Sequence, residues 1–127
     1  MSFITLDTDE KLNELFEKSN EKPIVLFKHS LTCPISTDAC NQMAIVEGDV
    51  NIVIVQTARP ISNAIAERTN IQHASPQMIV LRNGKPIFNA SHYDITADKV
   101  EDILKNAWTN TNNRRIRFSR NDWMVWR

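Results

Sequence analysis

Two short apolar segments constrain the fold of this chain more than any other feature of its sequence. Residues 23–28 read PIVLFK and residues 51–57 read NIVIVQT, and both are nearly continuous apolar runs with β-branched members. Such runs are typical of strands that are covered on both faces. Between them, residues 34–47 place apolar side chains near one face of a helix. The sequence therefore predicts a strand–helix–strand unit with parallel strands and a right-handed crossover.

The remaining segments continue an alternation of helices and strands. Asp7 is the predicted cap of a first helix over residues 8–19. Pro60 begins another helix, Asn83–Gly84 predicts a hairpin turn between two strand-like runs, and Thr96 begins a last helix with an apolar face. This order predicts an α/β domain with a thioredoxin-like fold, in which helices flank a central mixed sheet of about four to five strands.

The C-terminal residues differ in composition from the rest of the chain. Residues 112–127 carry five arginines and one acidic residue, whereas the remainder has 10 basic and 14 acidic residues. We therefore predict a thioredoxin-like domain over residues 1–108 and a basic, aromatic tail over residues 109–127. Arginine mixed with Trp123 and Trp126 is also the composition of a nucleic-acid or anionic-membrane contact. Because charged segments are usually solvated, we expect the tail to be disordered or packed on the acidic body, and nucleic acid is not an expected partner.

The N-terminus carries no recognisable export signal. Its first twelve residues, MSFITLDTDEKL, lack the basic start and the apolar stretch of a signal peptide. No apolar run reaches the roughly 18 residues that cross a bilayer. We expect a cytoplasmic protein without a membrane partner, and in that reducing compartment its two cysteines are not expected to form a structural disulfide.

Cys33 lies in the segment SLTCPIS, where the first predicted strand gives way to a helix. Free backbone N–H groups and the positive end of the helix dipole favour an anion at such a position. Thiols placed there can have their pKa lowered from ~8.5 to between ~3.5 and ~7.5. Pro34 fits the first helical position, because it needs no backbone hydrogen bond there. The pattern indicates that Cys33 is a catalytic nucleophile.

Ser36 occupies the position at which a dithiol site would carry its second cysteine. A serine cannot resolve a mixed disulfide, so Cys33 must pass its partner to another thiol. Cys40 follows seven residues along the helix, a rise of ~10.5 Å that exceeds the ~7 Å Cα separation a disulfide tolerates. We expect Cys40 to be a small apolar residue packed beside Met43, and its redox role stays open. No His and Cys residues have zinc-finger spacing, so no metal site is expected.

Two further segments are candidates for the same site. Ser75–Pro76 precedes a strand, where a cis bond would expose backbone groups to an extended ligand; the trans form is the default, and only the inferred fold favours cis. In NASHYDIT, Ser91 and His92 precede a helix N-terminus that could meet a carboxylate. The alternative is that Asp94 or Thr96 merely caps the helix and that His92 is an exposed loop residue.

Three segments together resemble one known family. FKHSLTCPIS at residues 27–36, HASPQ at 73–77 and NGKPIFNASHYDIT at 83–96 are similar to the monothiol bacilliredoxins, the YtxJ-like proteins of the bacillithiol system. TCPIS is the signature of that family, and the resemblance spans roughly residues 3–108.

The resemblance implies a thioredoxin-like fold, a cytoplasmic location and a role with bacillithiol, a thiol built from cysteine, glucosamine and malate. Cys33 would attack a protein mixed disulfide, take the bacillithiol onto its own sulfur and release the reduced client, after which another thiol restores Cys33. No bound cofactor is implied; bacillithiol is the thiol co-substrate, and bacillithiolated proteins are the clients. The predicted substrate-binding residues are Thr32, Pro34, Ser36, Ser75, Pro76, Ser91 and His92.

Two other functions remain open at this stage. The chain could be a non-catalytic thioredoxin-like module that binds a partner or senses redox state through Cys33, in which case a covalent complex would accumulate. It could also be a glutathione-dependent protein similar to monothiol glutaredoxins, in which case the glutathione adduct would be preferred over the bacillithiol adduct. Catalytic turnover would exclude the non-catalytic module, and the preference for the bacillithiol or the glutathione adduct would distinguish the two enzymes.

Overall fold

The computed structural model describes residues 2–116, with side chains described as far as residue 107. Within this range the backbone forms five strands, four α-helices and one short 3₁₀ turn, His92–Asp94. In chain order the main elements are β1 (Ser2–Thr5), α1 (Asp9–Lys18), β2 (Ile24–His29), α2 (Pro34–Met43), β3 (Asp49–Ile54), α3 (Arg59–Thr69), β4 (Gln77–Arg82), β5 (Lys85–Ser91) and α4 (Ala97–Ile116).

The strands form one mixed sheet in the order β1-β3-β2-β4-β5. β1 and β2 both pair with β3 in parallel, whereas β4 is antiparallel to both β2 and β5. The predicted parallel unit of β2, α2 and β3 is therefore confirmed, as is a mixed sheet flanked by helices. The sequence analysis missed β1, because all four of its residues are exposed and so it lacks the alternating apolar pattern of a half-buried strand.

The sheet separates two apolar cores. Side chains alternate across a strand, so Val25 and Phe27 of β2 pack against α2 and α4, while Ile24 and Leu26 pack against α1 and α3. Phe27 has no exposed surface. Burial of β2 on both faces agrees with its continuous apolar sequence.

Local signals set several element boundaries. α1 is capped by Thr8, whose hydroxyl accepts a hydrogen bond from the Lys11 N–H at 3.2 Å, and not by Asp7 as the sequence predicts. Asp7 instead forms an exposed ion pair with the Lys11 ammonium at 3.0 Å. The predicted hairpin is confirmed: Asn83 and Gly84 both have positive φ, at 57° and 75°, as a two-residue type I′ turn requires.

The C-terminal helix continues past the predicted domain boundary. α4 runs from Ala97 to Ile116, so the backbone is still helical beyond residue 108. Residues 117–127, which include Trp123 and Trp126, lie outside the described residues, and the division into domain and tail stays a prediction. Within residues 2–116 no helix has the length and apolar character needed to cross a membrane.

Lys28 is an unusual residue in the central strand because its side chain is only 1% exposed. Its ammonium lies 3.2 Å from His73 Nδ1, which is also 3.2 Å from the hydroxyl of Ser62 on α3. Among the described residues no carboxylate pairs with it. Burial lowers the pKa of Lys28 to about 8. The charged form of Lys28 is therefore desolvated in the folded protein, and its protonation lowers the free energy of unfolding.

Replacing Lys28 by methionine is expected to raise the free energy of unfolding at pH 7.5 by about 1 kcal/mol or more, because an uncompensated buried charge is removed. The wild type should also gain stability between about pH 8 and pH 10.5, since the folded pKa lies below the unfolded one and the unfolded chain binds more protons in that window. Urea unfolding at pH 7.5 and 9.5 measures both effects. Equal pH dependence in the wild type and the Lys28→Met variant would contradict this account.

Candidate active site around Cys33

Cys33 is the N-cap residue of α2. Its backbone is extended, with φ −107° and ψ 118°, and Pro34 begins the helix directly after it. The Cys33 carbonyl accepts the first helical hydrogen bond, from the Thr37 N–H at 3.2 Å. The thiol is free, partly exposed and not used to cap the helix. The structure thus places Cys33 where the sequence predicts it, at the end of β2 and the start of α2.

Gln56, in the turn after β3, holds the loop that leads to Cys33. Its Oε1 accepts a hydrogen bond from the Leu31 N–H at 3.1 Å, and its Nε2 donates to the Ser30 hydroxyl at 2.8 Å. Nε2 also lies 3.5 Å from the hydroxyl of Thr32. Leu31 itself is 61% exposed, so apolar packing contributes little to the position of this loop. The Gln56 amide therefore fixes residues 30–32 through polar contacts.

Sequence reasoning missed Gln56. The available signal was its position directly after a strand that is parallel to β2, because the carboxyl ends of parallel strands meet at one edge of a sheet. The backbone supports this placement, since the Val55 N–H donates to the His29 carbonyl at 3.0 Å.

Ser36 ties the first turn of α2 to the end of β2. It has no exposed surface, and its Oγ accepts a hydrogen bond from the Ser30 N–H at 2.9 Å. The same Oγ lies 2.8 Å from His29 Nδ1. Although the sequence predicts Ser36 as a substrate-binding residue, its hydroxyl is used inside the protein. The buried Ser36 hydroxyl therefore tethers the loop that leads to Cys33 from inside the protein. It does not line the surface that a substrate would meet.

The surroundings of His29 disfavour its charged form. Burial lowers the pKa of its imidazole below the ordinary value, while a hydrogen bond with the backbone of Ser36 acts in the opposite direction. The ring also stacks on Phe27, with centroids 5.8 Å apart. Stacking on Phe27 and the contact with the Ser36 hydroxyl fix the orientation of the His29 ring. His29 and Ser36 thus form a polar pair beneath the loop that leads to Cys33.

The Ser75–Pro76 segment lies at the same end of the sheet as Cys33. Its peptide bond is cis. Gln77, the next residue, pairs with Lys28 of β2 on one side and with Ser91 of β5 on the other. The Pro76 carbonyl accepts a hydrogen bond from the His92 N–H at 3.1 Å. The fold therefore brings together the candidate segments that lie far apart in the sequence.

The N-terminus of α4 is already occupied by side chains of the protein. The Ala97 N–H donates to Gln42 Oε1 at 3.0 Å, and the Lys99 N–H lies 3.4 Å from the hydroxyl of Thr96. Thr96 thus has the capping role that the sequence analysis left open. These two N–H groups are not available to a ligand carboxylate unless those contacts break.

Cys40 lies apart from the Cys33 loop, on the core-facing side of α2. It is partly buried and packs against the core cluster that contains Met43. Burial raises the pKa of its thiol above the ordinary value, which disfavours the reactive thiolate. Within the described part of the chain, no three His, Cys, Asp or Glu side chains form a group that could hold a metal ion.

Comparison with known proteins gives a consistent result. The sequence model of the family described as monothiol bacilliredoxin BrxC matches residues 4–100. A solved protein described as having a thioredoxin fold is 33% identical, with a TM-score of 0.73, over 79% of this chain and 91% of that one.

Solved thioredoxins show the same architecture at lower identity. The thioredoxin pre-protein of Schistosoma mansoni is 21% identical, with a TM-score of 0.62, over 84% of this chain and 99% of its own. Fasciola hepatica thioredoxin is 16% identical, with a TM-score of 0.63, over 82% of this chain and 98% of its own. The predicted thioredoxin-like fold is confirmed.

Removing the Gln56 side chain is expected to loosen the Cys33 loop. In Gln56→Ala the Leu31 amide should exchange with solvent about fivefold faster, the factor that corresponds to one hydrogen bond of about 1 kcal/mol. Thr57→Ala is the matched control, since Thr57 lies in the same turn and, within the described residues, its hydroxyl bonds only to the Ile54 carbonyl. If NMR shows unchanged exchange of the Leu31 amide in Gln56→Ala, the Gln56 side chain does not hold the Cys33 loop.

Ser36→Ala is expected to lower the free energy of unfolding by about 1–3 kcal/mol, because the buried N–H of Ser30 loses its acceptor. Thr37→Ala, on the exposed side of the same helical turn, should change stability by less than about 0.5 kcal/mol. Urea unfolding of both variants measures the difference. Equal losses in the two would show that Ser36 does not tether the loop.

Proposed function

Because this chain belongs to the monothiol bacilliredoxin family, we propose that it is a thiol–disulfide oxidoreductase that removes bacillithiol from protein mixed disulfides. The observation that carries the proposal is the arrangement at the start of α2: a partly exposed Cys33 at the N-cap, and a buried serine at position 36. A site of this kind can accept one thiol on its sulfur but cannot release it by forming an internal disulfide with position 36.

The first step is a disulfide exchange. The Cys33 thiolate attacks the bacillithiol sulfur of the client mixed disulfide, the bond between client and bacillithiol breaks, and a Cys33–bacillithiol disulfide forms. The client leaves as a thiolate and takes a proton from solvent. In the second step an external thiolate attacks the bacillithiol sulfur, which frees Cys33 and yields a disulfide between bacillithiol and that thiol. The number of disulfides is unchanged in each step.

The second thiol comes from outside the protein. Ser36 has no thiol, and Cys40 is separated from Cys33 by seven residues of helix, about 10.5 Å of rise against the ~7 Å that a disulfide spans. The raised pKa of Cys40 also disfavours its thiolate. The protein therefore needs a low-molecular-weight thiol or a reductant to complete each cycle.

The surface around Cys33 suits a client peptide. Thr32, Pro34 and His92 are exposed, and Ser75 and Ser91 are partly exposed at the same end of the sheet. We propose that these residues contact the client next to its mixed disulfide, while Pro76, which is buried, shapes the client groove and Ser36 acts from the interior through Ser30. The proposed co-substrate is bacillithiol, with no bound cofactor, and the proposed location is the cytoplasm, where bacillithiolated clients are formed.

The test is intact mass spectrometry after mixing the protein with a bacillithiolated peptide. The wild type and the Cys40→Ser variant are expected to gain the mass of one bacillithiol, whereas Cys33→Ser should gain none. Addition of free bacillithiol should then return the protein to its original mass. A glutathionylated peptide of the same sequence should transfer its adduct more slowly.

Two results would overturn the proposal. One is absence of a bacillithiol adduct on the wild type. The other is a stable covalent complex between Cys33 and the peptide that free bacillithiol does not resolve, which would favour a non-catalytic binding module.

A further inference from the structure

A groove of about 370 Å³ runs beside the active-site cysteine, between α2 and the His92–Asp94 turn. It begins at Ile35, two residues after Cys33, and its far wall includes His92, whose N–H is bonded to the Pro76 carbonyl. A larger groove of about 420 Å³ lies at the opposite end of β2, near Pro23, and has no contact with the Cys33 loop. Cys33 does not line the smaller groove, but of the two grooves this one lies nearer to a molecule attached to the Cys33 sulfur.

The α2 wall of this groove offers polar groups without partners. Asp38 and Asn41 are exposed on one face of the helix, and neither side chain bonds to another residue in the described part of the chain. Gln42 uses its Oε1 for the Ala97 N–H, which leaves its two amide hydrogens free. The wall therefore presents a charged acceptor, an amide that both donates and accepts, and a donor.

The opposite wall adds an aromatic rim. Tyr93 is 71% exposed, and it is the only tyrosine in the chain. An exposed aromatic ring beside polar side chains offers an apolar face and a hydrogen-bonding hydroxyl together. Sugar rings match such a surface, because their hydroxyls are both donors and acceptors while their C–H faces pack on aromatic rings.

We propose that this groove binds the sugar ring of the low-molecular-weight thiol that Cys33 exchanges. The inference rests on the proposed function and deepens it, since it names the part of the thiol that the protein reads. Hydroxyls of the ring bond to Asp38, Asn41 and the Gln42 amide, and Tyr93 covers one face of the ring. Such contacts let the site discriminate against thiols of similar size that carry no sugar.

The groups that line the groove argue against a carboxylate as the bound group. Asp38 places a negative charge on α2, and the N–H groups of Ala97 and Lys99 at the start of α4 are engaged by Gln42 and Thr96. The malate group of bacillithiol would then point away from the groove. This assignment differs from the carboxylate contact at the helix N-terminus that the sequence suggests.

Fluorine NMR can test the site without any disulfide chemistry. Protein labelled with 3-fluorotyrosine gives a single resonance, from Tyr93, because the chain has one tyrosine. S-methyl bacillithiol, which has no free thiol, is expected to shift this resonance saturably, whereas malate and S-methyl glutathione should not. Asp38→Ala should weaken the apparent affinity about fivefold, the equivalent of one hydrogen bond. Asp9→Ala, which removes the same charge from α1, is the matched control.

The outcomes separate this inference from the proposed function. No shift with S-methyl bacillithiol, although Cys33 still takes bacillithiol from the peptide, would overturn the groove assignment and leave the function standing. A saturable shift without any transfer to Cys33 would support the groove and refute the proposed reaction. An equal shift with malate alone would show that the groove binds a carboxylate, and equal weakening by Asp38→Ala and Asp9→Ala would show a general charge effect.

Discussion

The parallel pairing of β2 with β3 is the constraint on which the candidate site depends. Because both strands run in the same direction, the segments that follow them leave the sheet at one edge. The loop after β2 carries Cys33, and the turn after β3 carries Gln56, so the amide of Gln56 can bond to residues 30–32. A different pairing of β2 would separate the two segments and leave the Cys33 loop without its support.

The antiparallel strands complete the site from the other side. β4 begins where β2 ends, so Pro76 enters the sheet beside the loop that leads to Cys33. The hairpin then returns the chain to the same end, where His92 bonds to the Pro76 carbonyl. The segments that contain Thr32, Pro76 and His92 thus lie at one end of the sheet, and this return of the chain also forms the groove between α2 and the turn at His92.

The site is held by hydrogen bonds where most of the domain is held by apolar packing. Ser36, His29 and Gln56 fix a loop whose Leu31 side chain is left exposed. This arrangement holds the backbone before Cys33 through polar contacts while the Leu31 side chain stays exposed. Lys28 is buried beside the same segment and has no carboxylate partner among the described residues, so it is a second departure from apolar packing near the site.

The sequence by itself determined most of the helices and strands and the monothiol character of the site. Apolar runs, the proline after Cys33 and the Asn83–Gly84 turn are local patterns, and the serine at position 36 shows that the site lacks the second cysteine of a dithiol motif. Only the tertiary structure decided what surrounds Cys33. Gln56 lies 25 residues from Leu31, and Gln42 lies 55 residues from Ala97, so their contacts follow from the packing of strands and helices and leave no periodic trace in the sequence. β1 stayed invisible for a related reason, because its four exposed residues are ordered by their ladder to β3 and not by an apolar face.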